Sequence, residues 1–223
     1  MKPMRTSTPL WTLSLLASLL LAAVTHGADA SLRYTSRPGG HVTIDGTSSI
    51  HAWTVQGAII SGYFEVEPAF ETDKSLKSVG GLHGQQPAAT AQIAIPIRSL
   101  HNAGGHEKMD EVMQEAMRAD QYPMIRYKLT SITAKDPVPD SGSPVKFDTK
   151  GELSMAGVTN QIEMEVTMER LDNNQLKFSG SKDLKMSDFK ILAPHLNLVV
   201  GEIKTGDLVK VGFEWRVGLR KAQ

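Results

Sequence analysis

Gln161-Ile162-Glu163-Met164-Glu165-Val166-Thr167-Met168-Glu169 alternates, one residue at a time, between polar and apolar side chains. Successive side chains of a strand point to opposite faces. Ile162, Met164, Val166 and Met168 therefore share a dry face, and Gln161, Glu163, Glu165, Thr167 and Glu169 share a wet one. A helix would scatter the same residues around its axis. One dry and one wet face is the mark of an antiparallel sheet, because parallel sheets are covered on both sides. The period recurs along the chain. Ile125, Tyr127 and Leu129 alternate with Arg126, Lys128 and Thr130; Val209, Val211, Phe213, Trp215 and Val217 alternate with Lys210, Gly212, Glu214 and Arg216. The outward acidic row of 161–169 is expected to pair with the outward Arg126/Lys128 row, for a few tenths of a kcal/mol per pair.

Extending this reading gives eight strands, at 41–47, 52–67, 89–97, 124–134, 146–155, 160–170, 174–184 and 207–218. Turn chemistry separates the late ones: Ala156-Gly157, then Asp172-Asn173-Asn174, then Thr205-Gly206-Asp207. Residues 79–87 and 136–144 read as loops. Eight half-wet strands fit either a closed barrel or a two-layer sandwich. Gly57 and Gly62 inside the long second strand favour strong bending, as barrel corners need. One helix interrupts the strands, over 106–120. Met109, Val112, Met113, Ala116 and Met117 recur at helical spacing, Glu107, Asp110 and Glu111 suit its positive end, and Tyr122-Pro123 stops it.

The first thirty residues read as a leader outside the fold. Lys2 and Arg5 precede the apolar run 13–24, and Ala28-Asp29-Ala30 is a small-x-small cleavage site. The run is about a dozen residues, short of the ~20 that span a bilayer. Export to the periplasm is the expectation, leaving one β-barrel domain at 31–223 and no membrane span. The chain has no Cys, so the folded domain must be held by its core rather than by disulfides. Basic and acidic residues balance at 24 each. Leaving out Lys2, Arg5 and Asp29 of the leader gives 22 against 23, a net charge of −1. No clustered basic face points to nucleic acid.

Catalytic chemistry finds little footing. Ser48, Ser49, Ser154 and Ser187 lack the glycine pattern of a nucleophile elbow, and there is no thiol. The carboxylates lie on predicted wet faces, where a raised pKa is not expected. His101 and His106, near Glu107 and Asp110, match no metal-binding spacing of fixed geometry, so no metal is expected. His83 and His195 read as solvated surface residues. The Met109/Met113/Met117 stripe reads first as packing against the sheet and second as the lid of an apolar cavity, since unbranched Met adapts to variable ligands.

Three motifs in order carry a resemblance: Gly46-Thr47-Ser48-Ser49 leading into His51-Ala52-Trp53-Thr54, Ala119-Asp120-Gln121-Tyr122-Pro123 joining the helix to a strand, and Lys204-Thr205-Gly206-Asp207 near the end. With the strand pattern, they make the chain resemble the YceI-like family over roughly 32–219. The segment His106-Glu107-Lys108-Met109-Asp110 departs from the Arg-Asp pair and following His that many members carry, so a polar contact made there in relatives is not implied here. The resemblance implies an all-β fold with one amphipathic helix: an antiparallel, eight-stranded, lipocalin-like barrel. It also implies a non-enzymatic periplasmic binder or carrier of a polyisoprenoid, quinone tail or other long-chain lipid. No cofactor is implied beyond such a bound isoprenoid or fatty lipid, and a homodimer is compatible with it. The expected apolar cavity is built from Trp53, Phe64, Ile93, Ile95, Met109, Met113, Met117, Ile125, Tyr127, Leu129, Leu153, Met155, Met164, Val166, Phe178, Phe213 and Trp215. His51 is either a polar contact at its mouth or a structural residue whose ring bonds the preceding turn. Two rival readings stay open: an enzyme working on an apolar substrate inside the barrel, and an envelope structural or adhesion domain with a filled core.

Overall fold

The computed structural model describes residues 31–135, 137–138, 143–198 and 201–220. The expected leader lies outside them. Among these residues twelve strands run in chain order: β1 Leu32–Ser36, β2 His41–Ser48, β3 Ala52–Gly57, β4 Ser61–Val66, β5 Thr90–Pro96, β6 His101–Asn102, β7 Met124–Ala134, β8 Val145–Met155, β9 Val158–Leu171, β10 Gln175–Lys185, β11 His195–Leu198 and β12 Gly201–Leu219. All pairings are antiparallel, and β12 returns to pair with β1 through Tyr34 opposite Leu219. The sheet is thereby closed.

Three pairs of short strands are each one barrel strand, bent. β1 and β2 both run along β12, β3 and β4 lie beside them, and β5 and β6 continue the ring. Counted this way the barrel has eight strands in simple up-and-down order, with β11 appended to the start of β12. The expected single strand 52–67 breaks at Ala58-Ile59-Ile60. Gly62, just past the break, has φ +144, and a Cβ there would run into the Gln92 carbonyl of β5. Only glycine supplies that bend.

Other expectations shift. The first strand begins nine residues earlier than expected, and the last begins at Gly201. Thr205-Gly206-Asp207 is therefore no turn but an irregularity inside β12, where the register to β2 slips. Ala156 and Gly157, with φ 49 and 80, form the tight turn between β8 and β9. A bulge at Thr130 resets alternation in β7, so Ile132 and Ala134 are buried along with Leu129. The outward Glu163 and Glu165 meet Lys150 at 2.6 Å and Lys135 and Lys146 at 2.7 and 2.9 Å, not Arg126 or Lys128. β9 borders β8, which supplies Lys146 and Lys150, and Lys135 reaches across from just past the end of β7.

The amphipathic helix spans Glu107–Ala116, shorter than expected. Arg118 takes the left-handed conformation, φ 52, and the amides of Arg118 and Ala119 turn back to the carbonyls of Glu115 and Gln114 at 2.9 Å each. That paired closure ends a helix before any proline is needed. The Arg118 guanidinium then donates to the Ala156 carbonyl and lies over the Tyr122 ring, fixing the helix exit to the β8–β9 turn.

The barrel interior is not uniform. Its lower half is solid: Tyr34, Phe64, Phe70, Phe147, Phe178 and Trp215 are buried, and neighbouring rings stand 5.1–6.3 Å apart where they meet. The segment 67–89 plugs this end with Phe70, Leu76, Val79 and Leu82, all fully buried. His83 belongs to the plug, half-buried with Nε2 3.0 Å from the Leu76 carbonyl, rather than to the free surface.

Candidate functional site: an apolar cavity under a helix

Above the solid half the barrel is hollow. A cavity of about 340 Å³ opens between the strands and the amphipathic helix. Ile93, Tyr127, Met164 and Phe213 form its floor, since each packs on the solid core below while facing the space above. Burial pushes the Tyr127 phenol above its usual range. The walls come from inward positions of successive strands, among them Ile44, Trp53, Ile95, Ile125, Leu153, Met155, Ile162 and Val211. Met109, Met113 and Met117 come down from the helix and its exit.

One side of the wall is not sheet. β9 and β10 are paired only from Leu171 opposite Gln175 to Val166 opposite Gly180, and above that level they diverge. The one-turn segment Met186–Phe189 wedges into the opening, with Phe189 and Ile191 buried and the Asn160 amide 2.8 Å from the Asp188 carbonyl. Ser187 is fixed in turn by Asp207, which takes its hydroxyl at 2.6 Å and its backbone amide at 2.8 Å. Those two bonds hold the Asp207 carboxyl below the usual carboxylate range.

The helix that roofs the cavity is tied at its edges and not through its middle. Asp110 accepts the Asn102 amide at 2.6 Å and faces His101 Nδ1 at 2.8 Å, while Gln114 and Asp120 both bond Arg98. No residue of Glu107–Ala116 is fully buried, although Met109, Val112, Met113 and Ala116 all face inward. The apolar stripe does both things expected of it: Met113 and Ala116 pack on the buried cluster of Ile97, Leu153 and Phe189, which Met117 joins, and the same residues border the cavity. His101 and Asp110 form a pair only, and no group of three potential metal ligands comes together among the described residues.

At the mouth, Ser48 closes the β2–β3 turn: its amide donates to the His51 carbonyl at 2.9 Å and its hydroxyl receives the His51 amide at 3.2 Å. The exposed His51 ring borders the cavity, and its Nδ1–H donates to the Ala52 carbonyl at 2.8 Å. It does not bond the Gly46–Ser49 turn. Trp53 Nε1 donates to the Thr47 carbonyl at 3.1 Å, and the indole crosses over Gly46, where a Cβ would overlap it.

Of the residues expected to line a cavity, Trp53, Ile93, Ile95, Met109, Met113, Met117, Ile125, Tyr127, Leu153, Met155, Met164 and Phe213 border the space. Phe64, Leu129, Val166, Phe178 and Trp215 do not: they face inward but lie below the floor, in the solid core. Alternation sets the face of a residue and leaves its depth along the barrel open. Val42, Ile44, Val55, Ile162, Val209 and Val211 also line the walls; each stands at an inward position of its strand, and alternation already put Ile162, Val209 and Val211 on dry faces, but the expected set leaves all six out. The Met186–Phe189 wedge carried no periodic signal at all.

No helix among the described residues is long and apolar enough to cross a membrane. No curated protein matches the sequence. The structure is similar to a polyisoprenoid-binding domain from Saccharophagus degradans implicated in plant cell wall breakdown. The two are 14% identical, with 84% of this chain and 98% of that one covered, at a TM-score of 0.58. Burkholderia cenocepacia BcnA is similar at 16% identity, over 79% and 95% of the two chains, with a TM-score of 0.55. The sequence model of the YceI-like domain matches residues 38–217, which takes in the barrel from β2 almost to the end of β12. The chain belongs to the YceI-like domain family.

Proposed function

We propose that this protein is an exported, non-enzymatic carrier or binder that holds one long-chain lipid in the hollow half of its barrel. A polyisoprenoid, a quinone tail or a fatty chain would suit the space. The cavity itself carries the reading. About 340 Å³ of almost wholly apolar space is a volume that a core would otherwise fill with side chains. Water gains few hydrogen bonds from such walls. A hydrocarbon chain fills them well, at about 0.8 kcal/mol per buried methylene before ordering costs. The family and the polyisoprenoid-binding description of the S. degradans relative support the same ligand class. Among the described residues no carboxylate borders the cavity.

Native mass spectrometry of the purified protein, followed by lipid extraction, tests this directly: a bound mass that extracts as a lipid is expected. Met164→Glu on the floor should abolish co-purified lipid and leave a folded protein. Val166→Glu, two residues along in the solid core, should unfold it. Unchanged lipid content in the folded Met164→Glu variant would overturn the reading. Export is tested by N-terminal sequencing of periplasmic material, with a mature start near Ser31 expected.

A further inference from the structure

The inward face of β10 reads Leu176, Phe178, Gly180, Lys182, Leu184. Directly opposed residues of an antiparallel pair project to the same side. Lys182 stands opposite Val211 and Leu184 opposite Val209, both of which border the cavity, so Lys182 shares their inner face. Lysine is among the residues least often placed inside a protein without a partner. Here it is half-buried, one step above the floor residue Phe213, and beside the opening where β9 leaves β10. The Glu163 carboxylate is near enough to feel its charge but is engaged by Lys150 at 2.6 Å. Among the described residues, no carboxylate lies within ion-pair distance of Lys182 or Lys185. Lys185 borders the same cavity, and so does Lys108, which pairs with Glu111 at 2.8 Å. A chain with balanced charge thus sets three lysines and no Asp or Glu around one apolar space.

We infer that Lys182 receives the oxyanion of the ligand, so that the bound lipid is an anionic amphiphile: an apolar chain ending in a carboxylate or a phosphate. The inference rests on the lipid-binding reading and names its ligand class. The head sits where β9 and β10 part, with Lys185 and Lys108 adding positive potential, and the chain fills the apolar remainder. A lysine aliphatic stem lies comfortably along an apolar wall while its ammonium reaches a polar partner. Charge-assisted hydrogen bonds are about twice as strong as neutral ones.

The test uses the delipidated mature protein and matched probes that share a chain and differ in the head: palmitate against hexadecanol, and geranylgeranyl phosphate against geranylgeraniol. At least one anion should bind about tenfold or more tighter than its alcohol, and added salt should narrow that margin. Lys182→Met should erase the preference while keeping affinity for the alcohols, and Lys182→Arg should retain it. The anion that shows the larger margin identifies the head as carboxylate or phosphate. Equal affinity for anion and alcohol in the wild type overturns the inference while leaving lipid binding intact. A preference that persists in Lys182→Met also overturns it. Failure of all four probes to bind overturns the lipid-binding reading, and this inference with it. The wild-type comparison stands even if a variant folds poorly.

Discussion

Gly46 lacks a side chain so that the Trp53 indole can lie across the neighbouring strand and wall the cavity mouth. Gly46→Ala should push the ring off its site and break its bond to the Thr47 carbonyl. Overpacking of this kind costs about 1–3 kcal/mol, so a lower melting temperature and red-shifted tryptophan emission are expected. Both residues sit in the motif that carries the family resemblance. The contact between them was not legible, because it depends on which residues face each other across β2 and β3. A second residue controls the closed end. The Asp73 carboxylate accepts the Ser75 hydroxyl at 2.6 Å and amide at 2.9 Å, and the Ser78 hydroxyl and amide at 2.7 Å each. Those bonds hold it well below the usual carboxylate range, the Ser75 hydroxyl contributing most. A carboxyl whose folded pKa is depressed stabilises above its unfolded value, about 3.9, and the benefit fades as pH falls below that. Asp73→Asn should therefore be less stable than wild type at neutral pH. The two melting curves should converge as the pH is lowered beneath about 4.

At the scale of elements, the helix and the parted strands make the hollow half adaptable. A Met packed in a core costs about 2–5 kcal/mol when cut to Ala. Met113 overlooks the cavity from a helix with no fully buried residue, so Met113→Ala should accelerate lipid release more than it destabilises the ligand-free protein. Stopped-flow transfer of lipid to vesicles gives the first quantity and thermal melts the second. Hydrogen exchange over Glu107–Ala116 should slow when lipid is bound, and equal exchange in both states would mark the helix as a fixed wall. The helix was legible from its three- and four-residue apolar spacing. Its end was not, because an arginine in the left-handed conformation leaves no trace in a spacing pattern. The eight strands were legible for the opposite reason, since period two is strict wherever one face is wet. Their breaks have local causes: Arg37-Pro38-Gly39-Gly40 between β1 and β2, the Gly62 bend just past 58–60, and a single helical turn at Ile97–Ser99 after Pro96.

At the scale of the molecule, the barrel divides stability from binding. Phe147 is fully buried in the solid half, and Phe147→Ala should lower unfolding free energy by about 3–5 kcal/mol. Ile162 borders the cavity, and Ile162→Ala should cost markedly less, because part of its surroundings is already empty. Denaturant titration of both variants without lipid checks the contrast. Only half of this plan could be seen in the sequence. Phe64, Leu129, Val166, Phe178 and Trp215 have the same alternation as true wall residues, and only the register of the closed sheet sets them below the floor. The plug of 67–89 was illegible because irregular chain buries its Phe70, Leu76, Val79 and Leu82 with no period at all. The seam between first and last strands has a consequence beyond this one chain. The Arg220 amide donates to the Arg33 carbonyl at 2.8 Å, so entry and exit of the barrel lie side by side. A module with neighbouring ends can be spliced into the surface loop of another protein without stretching its host. It can also be recut at the Asp172-Asn173-Asn174 turn and rejoined across the old ends, so that chain order becomes a detail the barrel does not need.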